Sequence, residues 1–213
     1  LTIDFVIKDD QTLLDDGLSF IFTPGHTPDS ICIILENEVI FTADTLLPDI
    51  TPHPSLAYAF QVNRRILPEE YRQKNVVYGL MNYIKSLHKI ASLICQPLQA
   101  TFPGHRLFYN GQFNIIHSSS DRAREIIQFH IDRCRDILNI IGNKPAGIED
   151  IAIQYFDPSQ LAGIGRLMAQ EEVMCHIEIM EECGDICWTG ENKDIAQHTG
   201  SNNFLNIIGA YLH

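Results

Sequence analysis

Long apolar runs are missing from this chain. No stretch of about 18 apolar residues occurs, so no membrane-spanning helix is expected. Basic residues are scarce: 15 Lys and Arg stand against 27 Asp and Glu, a net charge of −12. That balance argues against a broad electrostatic footprint on nucleic acid, because phosphate contact needs the opposite sign. None of the six cysteines forms a C-x-x-C pair. Most sit in apolar periodic segments, where a thiol acts as a small hydrophobe. Cys183 and Cys187 flank Gly184 without partner ligands in the sequence around them. A reducing, cytoplasmic setting is the simplest one for this usage. No signal peptide, internal repeat or low-complexity segment is visible. No two of the nine histidines are separated by a single residue.

What is present is an ordinary globular composition, 45% apolar and 20% charged over 213 residues, enough for one or two domains with a real core. Three short motifs stand out. They are Thr23-Pro24-Gly25-His26-Thr27-Pro28, Phe41-Thr42-Ala43-Asp44-Thr45 and Phe102-Pro103-Gly104-His105. Each sets a potential metal ligand just past a short apolar run that reads as a strand: 18–22, 39–42 and 100–102. Side chains leaving strand ends can converge on one edge of a sheet, where sites are built. Two imidazoles and a carboxylate, with no thiolate, suit zinc, iron or manganese.

In order and context these motifs resemble the second half of the metal site of the metallo-β-lactamase superfamily. The resemblance implies that His26 is a ligand of one metal, Asp44 the carboxylate bridging two, and His105 a ligand of the second. It implies two divalent ions, zinc first, sharing a hydroxide that attacks an ester, thioester or lactone of a small molecule. The family's upstream H-x-H-x-D-H motif has no counterpart here, and only 25 residues precede His26. The resemblance therefore implies the C-terminal portion of a longer hydrolase, whose full site needs upstream residues. Residues 3–17, with Asp15-Asp16-Gly17, resemble the hairpin that the family sets before the first motif. Two departures are visible: Asp29 and Arg106 stand where the family commonly has Gly.

The expected architecture is α+β. Residues 1–114 form the second half of an αββα sandwich, and 115–213 a small, mostly helical, winged-helix-like appendage. Strands are expected at 30–35 and 39–43 around Glu36-Asn37-Glu38, a helix over 75–94 and a strand over 96–102. A polar, lid-like segment covers 57–74. Ser118 to Asp121 starts a helix, on which Ala123, Ile127, His130, Cys134, Ile137 and Ile141 keep a three/four spacing. Helices over 148–156 and 166–182 and a strand at 186–188 follow. Residues 115–190 carry six Lys/Arg and thirteen Asp/Glu, so this appendage is read as covering a site or mediating dimer contacts rather than binding DNA.

His53, Tyr58, Arg64 and Arg65 are candidate substrate contacts, the last three for an anionic group. His88 and His130 lie within helices and read as structural. His176, His198 and His213 lie outside any recognisable ligand context. A half-sandwich leaves one sheet face bare, so the expected partner is the N-terminal portion or a second copy of the chain. Alternatives within the resemblance are an RNase or phosphodiesterase, disfavoured by acidity, and a metal-free binding module retaining relic motifs.

Overall fold

The computed structural model describes residues 7, 10–13, 17–93, 98, 100–189 and 194–212. Asp15, Asp16, Cys95 and His213 lie outside the described residues.

A five-stranded sheet is ordered β1 (Gln11–Leu13), β2 (Leu18–Phe22), β3 (Ile31–Leu35), β4 (Val39–Ala43) and β5 (Ala100–Pro103). The first four strands are antiparallel neighbours, and β5 joins β4 in parallel. A parallel neighbour needs a crossover. It is supplied by residues 44–99, which hold α1 (Ala59–Asn63), a 3-10 turn (Glu69–Tyr71) and α2 (Leu80–Leu93). The helix expected from residue 75 begins at Leu80 instead. Asn75 ties up the preceding turn by accepting from the Tyr78 amide at 2.9 Å, and Gly79 takes a φ of +96°. That left-handed geometry ends any helix running in from upstream.

The two faces of the sheet differ. Ile21, Cys32, Ile40, Thr42 and Thr101 point to the helices and are buried. On the other face the register aligns Phe20, Ile33, Phe41 and Phe102 across four strands. Phe41 and Phe102 stack at 5.4 Å and are 44% and 37% exposed. Leu35 is exposed on the same face. Both faces are apolar, but among the described residues helices cover only one.

A two-stranded ribbon, β6 (Phe108–Tyr109) with β7 (Gln112–Phe113), separates β5 from the helical part. There α3 (Ser119–Ile141), α4 (Ile148–Tyr155) and α5 (Gly165–Glu182) are joined by a three-stranded sheet. Its order is β8 (Ala146–Gly147), β10 (Ile195–His198), β9 (Ile186–Trp188). Ser118 Oγ accepts from the Asp121 amide at 3.1 Å, capping α3 as its sequence implies. All six residues of the three/four series on α3 are buried. All but His130 join one apolar core that continues onto α2 through Tyr83, Ile84 and Leu87.

The sequence pattern had no counterpart for α6 (Asn203–Gly209). Its start is organised by a buried carboxylate, Asp185, which accepts from the amides of Asn203 and Phe204 at 2.7 and 2.8 Å. No helix is long and apolar enough to cross a membrane among the described residues.

Candidate metal centre

The loops after β2, β4 and β5 meet at one end of the sheet. Their convergence depends on two glycines. A Cβ on Gly25 (φ +129°) would lie 2.3 Å from the Tyr83 amide nitrogen, so the loop can rest on α2 only without a side chain there. A Cβ on Gly104 would lie 2.5 Å from Asp44 Oδ1. The Pro-Gly-His pattern of both motifs is thus a packing requirement that brings backbone against helix and carboxylate.

Hydrogen bonds lock the loops together. Thr23 and Thr45 hydroxyls meet at 3.1 Å, the Tyr83 hydroxyl donates to Thr45 O at 2.8 Å, and the Ser86 hydroxyl donates to Pro24 O at 2.7 Å. The Gly104 amide donates to Ala43 O at 2.7 Å. Ala43 itself has a φ of +45°, which turns the chain sharply and lifts Asp44 off the end of β4.

Asp44 Oδ2 lies 4.0 Å from His26 Nε2, and Asp44 Oδ1 lies 3.6 Å from His105 Nε2. His26 Nδ1 is 2.6 Å from the His53 carbonyl oxygen. A carbonyl can only accept, so Nδ1 carries the proton and the Nε2 lone pair is left toward Asp44. His105 is the most exposed of the three, its side chain 52% accessible.

The loop leaving Asp44 is fastened to α3, where Arg122 donates to the carbonyls of Leu47 and Ile50 at 2.9 Å each. Arg106 grips Asp49 through two bonds of 2.6 and 2.7 Å. The Arg106 guanidinium holds the Asp49 carboxyl below its ordinary range. Arg106 adopts a φ of +68°, the conformation a glycine would take without strain. Its side chain closes the rim between the second and third motifs.

Beside this centre runs a groove of about 670 Å³. The Asp44 loop contributes Ile50 and His53, and the helical part contributes Phe129, Phe156, Met168 and Glu172. His53 therefore sits at the site in two ways. Its carbonyl holds His26, and its ring Nε2 lies 3.4 Å from Glu172 Oε2. Tyr58 lies elsewhere, lining a separate cavity of about 890 Å³ with Phe60, Met174 and Trp188. Arg64 and Arg65 are exposed, and no side-chain hydrogen bond or ion pair joins them to the centre among the described residues.

A second constellation was not singled out by sequence pattern. Among the described residues, His130, Glu172 and His176 have ligand atoms all within 4.8 Å of one another, so they could hold an ion. His176 Nδ1 lies 2.7 Å from Glu172 O, so it donates there, and its Nε2 accepts from His130 Nδ1 at 3.0 Å. Arg133 already pairs with the Glu172 carboxylate. The two rings thereby bond to each other as neutral groups and the acid is neutralised, while His130 Nε2 is buried without a hydrogen-bond partner. Burial, first of all, pushes His130 well below its ordinary pKa and His176 to about 4. The only sequence hint was Glu172 and His176 one helical turn apart. Its partner His130 comes from another helix, 46 residues earlier.

No protein-family model matches this chain. A metallo-β-lactamase family protein from Thermus thermophilus superimposes with a TM-score of 0.63 at 22% identity, over 90% of this chain and 53% of that one. A β-lactamase domain protein from Burkholderia ambifaria superimposes with a TM-score of 0.64 at 15% identity, over 91% and 52%. An atrochrysone carboxyl ACP thioesterase from Aspergillus fumigatus is 30% identical over 121 residues, which is 55% of this chain and 30% of that protein. The chain thus spans about half the length of the solved structures it matches, and under a third of the thioesterase.

Proposed function

Because the chain has the fold of metallo-β-lactamase family proteins over about half of their length, we propose that it carries part of the active centre of a metal-dependent hydrolase. Its substrate is an ester, thioester or lactone of a small molecule. One observation carries this reading: a single carboxylate, Asp44, turns one oxygen to His26 and the other to His105. That division fits two neighbouring ions better than one. The donors suit divalent zinc, iron or manganese. When bound, such ions lower the pKa of water and polarise the scissile oxygen.

The chain's own residues do the rest. His26 is kept in the tautomer whose Nε2 is available. The Arg106–Asp49 pair closes one side of the approach. The groove with Ile50, Phe129, Phe156 and Met168 takes the apolar acyl part of the substrate. The likeness to a thioesterase supports a thioester ahead of a lactone. The net charge of −12 counts against RNA. The test is a hydrolysis panel of acyl thioesters, lactones, phosphodiesters and RNA, run with zinc, manganese or iron and with metal content measured. Turnover of thioesters with a metal requirement is expected. Turnover of RNA alone would overturn the substrate class.

The open sheet face belongs to the same reading. Solved proteins of this fold extend over nearly twice the aligned length, and in this reading the exposed Phe41 and Phe102, with Leu35 on the same face, would seat further polypeptide of that fold. Bare apolar faces of this kind bind other polypeptide. The 213-residue chain alone is expected to enhance the fluorescence of an apolar dye and to self-associate as its concentration rises. Phe41→Lys with Phe102→Lys should reduce both. A monomer that leaves the dye dark would show the face to be covered in some other way.

A further inference from the structure

We infer that helix α5 sets the tautomer and aim of His26, with Glu172 and Glu178 as positioning residues that clamp the loop 53–58 from both ends. This rests on the hydrolase reading only for its consequence, not for its geometry. The His26 ring is steered by one acceptor, the His53 carbonyl at 2.6 Å. A backbone carbonyl can steer a ring only if its own segment is held, and this segment forms no helix or strand between residues 51 and 56.

Three attachments hold it. At its start, the His53 ring packs with Nε2 3.4 Å from Glu172 Oε2, a close contact without a hydrogen bond. In the middle, Ser55 donates to Gly25 O through both its amide and its hydroxyl, each at 2.7 Å. At its end, the amides of Ala57 and Tyr58 donate to Glu178 Oε2 and Oε1 at 2.7 and 2.8 Å, so one carboxylate closes the loop with both oxygens. Glu172 and Glu178 lie six residues apart on α5, about 9 Å along the helix axis. Glu172 is itself fixed, because Arg133 of α3 pairs with its carboxylate and its side chain is only 13% exposed.

Two of the three attachments come from a helix more than 110 residues further along the chain than the loop. The helical part is therefore built into the metal centre and not merely laid over it. An acceptor on one ring nitrogen decides which nitrogen is left for a metal, and losing such a partner typically costs ten- to hundredfold in metal affinity. Without the clamp the His53 carbonyl would swing and the His26 proton could move to Nε2.

The experiment uses the full chain without metal, labelled with ¹⁵N. Two-bond ¹⁵N–¹H correlation reads the tautomer of each histidine, with His26→Gln identifying the His26 signals. Wild type should show His26 protonated on Nδ1. Glu178→Ala and Glu172→Ala should each give a mixture of tautomers and weaken zinc about ten- to hundredfold in competition with a chromophoric chelator. Glu178→Gln, which keeps one acceptor, should recover part of the effect. Circular dichroism checks that the overall helical content is kept. Should Glu172→Ala fail to fold, Glu172→Gln, which keeps the shape, is read in its place. A His26 that stays protonated on Nδ1 in the folded variants overturns the inference, whatever happens to zinc. That result would leave the hydrolase reading standing, since the latter fails on Asp44 instead.

Discussion

Asp44→Asn is expected to lower metal-dependent hydrolysis by about three orders of magnitude or more, because in the proposed two-ion reading nucleophile and electrophile both depend on the ions that Asp44 would hold. The substitution isolates charge from shape. Gly104 leaves just enough room for the carboxylate, so an amide of the same size fits the same space. An amide, however, has one oxygen and one NH2. One of the two histidine sites would then face a donor with no lone pair to offer. Bound metal should fall together with turnover, and wild-type zinc affinity with lost activity would assign Asp44 to proton transfer instead. Full turnover and full metal content in Asp44→Asn would end the two-ion reading. Asp44→Ala should be at least as damaging. Tyr58→Phe, at a separate cavity, should leave turnover unchanged.

The second large effect is on stability in acid. His130 and His176 are wholly buried between α3 and α5 and bond to each other at 3.0 Å. Around them stand Tyr83, Phe129, Arg133, Glu172 and His53. Burial depresses both pKa values, that of His176 to about 4, below the roughly 6.5 of the unfolded chain. Above pH 6.5 both states carry the rings neutral, and stability does not depend on them. As pH falls below 6.5, the unfolded chain takes up protons that the folded chain refuses. Each histidine then costs about 1.4 kcal/mol of stability per pH unit. For His176 the loss runs down to about pH 4.

Urea titrations at pH 7.5 and pH 5 should therefore differ by roughly 2–4 kcal/mol from this pair. His130→Gln with His176→Gln should flatten that dependence, even where it lowers the plateau. An unchanged pH slope in the double variant would show that other groups set the acid limit. The same chemistry separates this pair from the proposed metal centre. A base that resists protonation deep in a core is suited to structure, whereas His26 and His105 remain accessible to solvent and ions.

Much of this was legible in the chain itself, for local reasons. A strand end followed by a tight turn constrains its own backbone, so the motifs singled out His26, Asp44 and His105 as candidates, and the fold brings them to one end of the sheet. The three/four spacing on α3 marked its buried face, and Ser118 marked its start, because both are properties of neighbours in sequence. The short apolar runs of β3 to β5 were legible as strands. It could not say which face the helices cover, since residues on both faces are apolar.

Only the tertiary structure decided what is held by residues far apart. Glu172 and Glu178 look like the solvated side of an acidic helix until the fold brings loop 53–58 against them. His53 reads as a turn residue between prolines, and only its carbonyl, which no sequence pattern encodes, reaches His26. Asp185 organises α6 from 18 residues away. Local sequence sets which groups are available and how the backbone around them bends. Long-range packing alone sets which group meets which, because those encounters are determined by the whole core that draws α2, α3 and α5 together.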